Sequence, residues 1–333
     1  MNSAKMLCTS AVAAVTLLAA GCGSEPTTSG EGDAFEAGPT EFLVHTGPGG
    51  GSDVFAREVT ALLEKEQLID PSSWTVRNEN GGSGAAAMVY LRGLAGETDT
   101  VALSTPTWIT TPLTTPEAAV TVDQLTPIAR MVTEPMMMAV TADSPYNSLE
   151  DFIAAAEAEP GGLVQAGGSV TSVDAISGGI LQEETDVKWS YLSFEGGGER
   201  ITALLSGDAD MMFGSPSDFT EQVRAGDLKV IATIGDEAPP LFPDAPTLAD
   251  SGVDVEVPEQ VRGVMGPPDM PEDAVAYYEG LMQDLTETAS WEEFTEENGL
   301  TTVFAGSEEF GTTLEEQTDL LSSRLESLGL LAQ

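Results

Sequence analysis

Residues 41–64 read Glu41-Phe42-Leu43-Val44-His45-Thr46-Gly47-Pro48-Gly49-Gly50-Gly51-Ser52-Asp53-Val54-Phe55-Ala56-Arg57-Glu58-Val59-Thr60-Ala61-Leu62-Leu63-Glu64. The hydrophobic pattern changes in the middle of this stretch. An apolar run suits a strand over Glu41–His45. From Ser52 onward, Phe55, Val59, Leu62 and Leu63 recur at i, i+4, i+7 and i+8, which is one face of a helix over Ser52–Glu64. The glycine-rich segment between them belongs to neither period. A strand, a glycine loop and a helix in that order form one β-loop-α unit, and the rest of the chain repeats the theme.

Thr75–Asn78 and Val101–Ser104 read as further strands, separated by an Ala-rich helix over Ala85–Leu94. Met136–Val140 is a strand of buried type; its three consecutive methionines suit a core better than a soft-metal site. Ser148 opens a capping box with Asp151, and that helix stops at Pro160-Gly161-Gly162. Strands at Leu163–Ala166, Val187–Tyr191, Asp210–Phe213 and Lys229–Ile234 alternate with helices at Ser172–Glu184, Glu199–Leu205 and Asp218–Arg224. Two acidic amphipathic helices, near Glu272–Thr288 and Ser307–Leu328, complete the pattern. Such alternation predicts an α/β fold with mainly parallel sheets flanked by helices. No repeat of solenoid period is present.

Glycine or hydroxyl residues sit wherever a strand gives way to a helix: at 47–53, 80–84, 104–106, 167–172 and 195–199. In an open α/β sheet such loops gather along the carboxyl edge of the strands, where ligands bind. Glycine lets the backbone approach a ligand closely. The free N–H groups and dipole at each helix start favour an anion, and Ser and Thr add adaptable hydrogen bonds. Other chemistries lack their signatures. No loop continues into Gly-Lys-Ser/Thr, so a P-loop is absent, and Ser52 stands where a dinucleotide fingerprint needs glycine. No Gly-x-Ser-x-Gly elbow occurs. His45, the one histidine, argues against zinc and gives a catalytic serine only one candidate base. No metal or other cofactor is expected.

The chain carries 12 Lys+Arg against 55 Asp+Glu, a net charge of −43. That excess excludes nucleic acid and electrostatic docking on anionic lipid. It is spread along the sequence, as on a solvated acidic surface, and suits a high-salt or exposed setting where self-repulsion is screened. At the amino end, Lys5 precedes a short apolar run, Ala11–Ala20, too short for a comfortable membrane span. The run exits at Leu18-Ala19-Ala20-Gly21-Cys22, which resembles a bacterial lipobox. Residues 1–21 are therefore expected to be a signal peptide, with Cys22 as the acylated mature terminus. Cys8 and Cys22 are the two cysteines, so cleavage leaves no thiol pair and stability rests on core burial. Residues 22–39 are Ser/Thr/Gly/Pro-rich and acidic, and read as a disordered tether spanning roughly 20–25 Å. The remaining length suits two domains of ordinary size.

At its glycine loops the chain resembles a known family, the substrate-binding receptors of tripartite tricarboxylate transporters, also called Bug receptors. The likeness runs over about residues 40–330. It is carried by Pro48-Gly49-Gly50-Gly51-Ser52-Asp53, Asn78-Glu79-Asn80-Gly81-Gly82-Ser83-Gly84 and Leu149–Pro160 with Gly161-Gly162-Leu163. Gly196-Gly197-Gly198-Glu199 leading into 202–213, and the Phe242-Pro243-Asp244-Ala245-Pro246 block through Gly252, complete it. The resemblance implies a two-domain periplasmic-binding-protein type II fold, a Venus flytrap, with the chain crossing between domains twice. The crossings are expected near Ala139–Asp143 and Val255–Val261. Residues 40–140 with 258–333 would then form one domain, and 141–257 the other.

The resemblance further implies an extracytoplasmic, lipid-anchored monomer without catalysis. It would capture a small organic acid, a di- or tricarboxylate or related metabolite, and deliver it to integral-membrane transporter subunits. By position, Gly50, Gly51, Ser52 and Asp53 would hold one end of the ligand and Gly168, Ser169, Thr171 and Ser172 the other. Ser83, Ser104, Thr105 and Gly197 would complete the wall. The chain departs from the family at His45 and Thr46, where Pro and an aromatic are usual, at Asp174, where many members carry His, and at Glu195, where Lys is common. A carboxylate within 4 Å of a ligand anion costs about 1 kcal/mol in water and more when desolvated. Either these side chains turn outward or the ligand is less anionic than citrate. Arg200 could compensate from one turn into its helix, or sit exposed. Two other readings remain open on sequence alone: a lipoprotein that senses solute and signals to a membrane partner, and a serine hydrolase using His45.

Overall fold

The β-loop-α unit at residues 40–65 forms as its periods require, with a buried strand at Thr40–Val44 and a helix at Gly51–Lys65. The computed structural model describes residues 35, 37–115, 120–194, 197–234, 238–239, 241–253, 255 and 257–332. The signal peptide, Cys22, most of the tether and Glu195 lie outside the described residues. In chain order come β1 (Thr40–Val44), α1 (Gly51–Lys65), β2 (Trp74–Asn78), α2 (Ala85–Arg92), β3 (Thr100–Ser104), α3 (Thr107–Thr114) and β4 (Thr126–Glu134). β5 (Met136–Thr141), α4 (Leu149–Ala158), β6 (Val164–Gly167), α5 (Val173–Thr185), β7 (Ser190–Ser193) and α6 (Gly197–Ser206) follow. Then come β8 (Met211–Gly214), α7 (Pro216–Ala225), β9 (Leu228–Ile234) and β10 (Gln260–Gly266), and after them α8 (Glu272–Thr286), α9 (Ala289–Asn298), β11 (Thr301–Gly306) and α10 (Ser307–Ser327).

The strands build two sheets, ordered β11-β4-β10-β3-β1-β2 and β7-β6-β8-β5-β9. Both are mixed, which corrects the expectation of mainly parallel pairing. β2-β1-β3 and β7-β6-β8 are parallel, as successive β-loop-α units demand. β10 runs against β3 and β4, β11 against β4, and β5 against β8 and β9. Connectivity explains the difference. β4 leaves the first sheet at its carboxyl edge, and β5 enters the second sheet where β8 ends, with Met137 opposite Gly214. β9 climbs back to that edge, with Ile234 opposite Met136, and β10 re-enters the first sheet beside the end of β4, with Gln260 opposite Glu134. Strands arriving at a carboxyl edge must run against those that end there. The same path turns the carboxyl edges of the two sheets toward each other, with their loops between.

Glu134 ends one sheet and Met136 begins the other, so the first crossing is at Pro135. The expected crossing at Ala139–Asp143 falls instead on the end of β5 and the turn after it, and Met136–Thr141 pairs with β9 throughout. The second passage runs between Val253, in the second sheet's core, and Gln260; Val255 and Val257 pack against the cores on both sides.

Alternation along the strands feeds four cores. On β1, Phe42 and Val44 pack with Phe55, Val59 and Leu63 of α1 and with α8, whereas Leu43 turns to the face covered by Met88, Trp108 and Phe310. On β5, Met136, Met138 and Val140 face α4, and Met137 and Ala139 face α6 and α7. Strands covered on both faces read as unbroken apolar runs, and the three methionines are core. α4 starts at Ser148, whose Oγ accepts the Asp151 N–H at 3.2 Å. α5 is shared between the two halves: Ile176 and Ile180 join the cluster of Leu321 and Leu325 on α10. Leu328 also lies so close to Gly179 that a Cβ there would come within 2.9 Å of its Cδ1. α10 is therefore a third tie between the sheets, in addition to the two crossings.

Candidate functional site

The loop from β1 to α1 is held by a single carboxylate. Asp53, 3 % exposed, accepts Gly49 N–H at 2.9 Å, Asn78 Nδ2 at 2.8 Å and Arg57 Nε at 3.0 Å. Its own N–H donates to Thr46 Oγ1 at 3.2 Å, Gly50 N–H to Gly47 O at 3.0 Å, and Val54 N–H to Gly50 O at 2.9 Å. The N-cap, Gly50, has no side chain to offer. Of the orphan donors of this helix start, those of Gly51 and Ser52 have no acceptor among the described hydrogen bonds. Asp53 thus belongs to the scaffold of the loop, and the arginine beside it, with hydrogen bonds from Gly49 and Asn78, lowers its pKa to about 2 against the cost of burial.

Beneath Gly51 lies a residue that the sequence reading did not single out. Arg262, on β10, reaches Gly51 O with Nη1 at 3.4 Å and Glu134 Oε2 with Nη2 at 2.7 Å, and its guanidinium sits 5.2 Å from the Phe55 ring centre. Glu134 immediately precedes the Pro135 crossing, so one guanidinium ties the crossing to the glycine loop. No local pattern marks this residue; its neighbours lie 128 and 211 positions away in sequence.

At the ends of β2 and β3, Gly84 (φ +98°) lets the chain pass Trp108; a Cβ would come within 3.2 Å of its Cδ1. Ser83 is exposed in this turn, also at positive φ, and its carbonyl accepts Thr111 Oγ1 at 2.8 Å. Trp108 donates its Nε1–H to His45 Nδ1 at 3.2 Å, which puts the imidazole proton on Nε2, facing Thr105 and Thr107 Oγ1 at 3.5 and 3.4 Å. Burial, above all, brings the His45 pKa down to about 4; a backbone hydrogen bond at Leu103 opposes this, and the Arg262 charge adds to it. An imidazole with its acceptor nitrogen occupied by an indole, and threonines as the neighbouring hydroxyls, is no base for a serine nucleophile. Ser104 turns into the sheet and donates to Gly263 O at 3.2 Å. Thr105 and Trp108 also border a small, mostly apolar cavity between α3 and α10.

The second sheet answers with a loop of similar logic. Asp174, 7 % exposed, sits in the first turn of α5 and accepts Gly168 N–H at 2.7 Å and the Ser172 hydroxyl. Arg200 of α6 stands 3.7 Å away. Tyr191 Oη lies 3.4 Å from the same carboxylate and donates to Gly168 O at 3.2 Å; burial and the Asp174 charge raise its pKa. A Cβ on Gly167 would overlap both Tyr191 Oη and the carboxylate. Ser169 and Thr171 share a contact at 3.3 Å, and Ser193 donates to Gly168 O at 2.5 Å. Asp174 therefore turns inward and organises its loop, and Arg200 is its counter-ion, at 22 % side-chain exposure. Gly197 begins α6 at the same edge. So does Ser215 at the start of α7, where it forms a capping box with Asp218. That sixth loop, Gly214-Ser215-Pro216, escaped the sequence reading because it lacks a glycine cluster.

The sequence profile of the tripartite tricarboxylate transporter family receptor matches residues 56–330. A UPF0065 protein of Bordetella pertussis is 22 % identical over 306 residues, 92 % of this chain and 94 % of its own length. BugT of the same organism is 24 % identical over 238 residues, 71 % and 72 % of the two chains. Among solved structures, an R. palustris protein with adipate gives a TM-score of 0.79 at 20 % identity, covering 87 % of this chain and 97 % of that one. MatC from Rhodopseudomonas palustris with bound malate gives 0.74 at 20 % identity, covering 86 % and 98 %. These structures share the two-domain α/β solute-binding fold. The family is one of receptors rather than enzymes, and this chain belongs to it: it is a tripartite tricarboxylate transporter family receptor.

Proposed function

We propose that the protein is the lipid-anchored, extracytoplasmic receptor of such a transporter, capturing a small organic acid between its two sheets and passing it to membrane subunits. The observation that supports this best is the pair of facing carboxyl edges, each of which presents uncommitted amides at a helix start, those of Gly51 and Ser52 on one and of Val173 and Asp174 on the other, among the described hydrogen bonds. Gly50, Gly51 and Ser52 hold one end of the ligand. Gly168, Ser169, Thr171 and Ser172 hold the other, with Ser83, Thr105 and Gly197 alongside. Asp53 and Ser104 serve from behind, fixing the loops that make contact. The relatives solved with adipate and malate suggest the size of ligand. Residues 40–135 with 260–332 form one half of the trap and 136–253 the other, closing about Pro135 and the return segment.

Among the described residues no helix is long and apolar enough to cross a membrane, and the reading assigns membrane attachment to an acyl chain on Cys22. Calorimetric titration of the purified chain with di- and tricarboxylates, aromatic acids and acidic amino acids tests capture; silence across the panel at millimolar concentration would sink it. Replacing Cys22→Ala is expected to release the protein from the membrane fraction with its ligand affinity unchanged. Retention of that variant in the membrane would place the anchor elsewhere.

A further inference from the structure

The hydroxyl protons around the second loop are spent inside the protein. A hydroxyl carries one proton and two lone pairs. Tyr191 Oη has the carbonyls of Gly168 and Ser169 and the Asp174 carboxylate as neighbours, at 3.2, 3.5 and 3.4 Å. Every one of these is an acceptor. Ser193 gives its proton to Gly168 O at 2.5 Å, and Ser172 to Ser169 O at 2.6 Å or to the Asp174 carboxylate. What these three groups have left for a ligand is lone pairs. Ser169 and Thr171, sharing one proton across 3.3 Å, keep a single hydroxyl proton free.

Charge acts in the same sense. α5 carries Asp174 in its own first turn, so the positive end of that helix meets a full negative charge before any ligand arrives. Its cation, Arg200, stands off at 3.7 Å. At α1 the equivalent aspartate is met directly by Arg57 at 2.8 Å, and Arg262, paired with Glu134 at 2.7 Å, underlies Gly51; unpartnered amides are common to both helix starts, at Gly51 and Ser52 and at Val173 and Asp174, among the described hydrogen bonds.

We infer that the captured solute is polar in an asymmetric way, with a carboxylate on the α1 loop and a hydrogen-bond donor, an ammonium, amide or hydroxyl, on the Gly168–Ser172 loop. This rests on the receptor reading above and narrows its ligand class from dicarboxylates to donor-ended monocarboxylates. It also accounts for an aspartate at 174: a second carboxylate there would meet the Asp174 charge and the lone pairs of Tyr191, Ser172 and Ser193.

The test is calorimetric titration of the full chain with matched acids of three to six carbons whose far end is ammonium, amide, hydroxyl, methyl or carboxylate, the four-carbon set being 4-aminobutyrate, succinamate, 4-hydroxybutyrate, butyrate and succinate. At the best chain length, one donor-ended acid is expected to bind at least tenfold tighter than both the methyl-ended acid and the dicarboxylate. A dicarboxylate that binds as tightly or more so overturns the asymmetry and leaves the receptor reading standing; no binding by any member overturns both. In Asp174→Asn, and in Ser193→Ala at an exposed strand end should the first variant fold poorly, the preference for the donor end over the dicarboxylate is expected to fall about fivefold. An equal loss for both ligands would reduce these residues to structural support and overturn their role in selection.

Discussion

Asp53 and Asp174 occupy matching posts, each in the first turn of the helix after a glycine loop and each accepting the N–H of a glycine that opens it. Their burial and hydrogen bonds fix the shape of both loops within the fold itself. Asp53→Ala leaves Gly49 N–H, Asn78 Nδ2 and Arg57 without their acceptor, and is expected to destabilise the fold by about 1–3 kcal/mol in urea titrations; unchanged stability would show that the loop orders itself without it. His45 makes a pH prediction. Its folded pKa, about 4, lies below the ordinary 6.5, so the unfolded chain takes up a proton that the folded chain refuses. Stability therefore falls as pH drops from about 6.5 toward about 4. Asp53 acts in the same sense lower down: its stabilisation is full above 3.8 and is lost as pH falls toward about 2. Unfolding free energies of wild type and His45→Asn at pH 7 and 4.5 separate the two groups, since the variant should lose most of the slope in that window.

At the scale of the element, the methionine run gives the sharpest contrast. Met137 is fully buried between β5 and the helices on its outer face. Met137→Ala is expected to cost about 2–5 kcal/mol in urea unfolding, whereas Val54→Ala, at a half-exposed position on α1, should change stability by less than about 0.5 kcal/mol. Equal effects would mean that the burial pattern on β5 is misassigned. The strands and helices that were legible in the sequence, β1, β3, β5, β6, α1 and α5 among them, have strong periods and glycine or proline at their ends. β4, β10, β11, α3 and α9 were not. β4 carries Pro127 and Arg130 and has polar residues at both ends, and α3 has Pro112 inside it. What makes a strand of β4 is its pairing with β10 and β11, supplied from more than a hundred residues away.

For the whole molecule, charge sets the terms. Ion pairs to acidic neighbours engage Arg57, Arg77, Arg200 and Arg262. Against a net charge of −43 they leave most carboxylates to repel one another on the surface. Salt shortens the Debye length from about 30 Å at 0.01 M to about 10 Å at 0.1 M. The thermal midpoint should therefore rise by several degrees over that range and keep rising more slowly to 1 M. A flat or falling midpoint would mean that local ion pairs outweigh the global repulsion. The ties between the two halves are Pro135, the return segment carrying Val255 and Val257, and the end of α10 against α5, and Arg262 links the first of them to the Gly51 loop.

By itself the sequence determined the class of fold and the glycine loops that follow its strands. Each of these follows from short-range chemistry: alternation of period, glycine at strand ends, free amides at helix starts. Tertiary structure alone decided which side chains turn inward to hold the loops. Asp53, Ser104 and Asp174 turn inward because partners distant in the chain accept or supply their hydrogen bonds, and Arg262 enters the site through a strand whose neighbours are assembled only on folding. The polarity of the second loop belongs to the same kind. It depends on where each hydroxyl proton goes, and that is fixed by which acceptor the fold brings within reach.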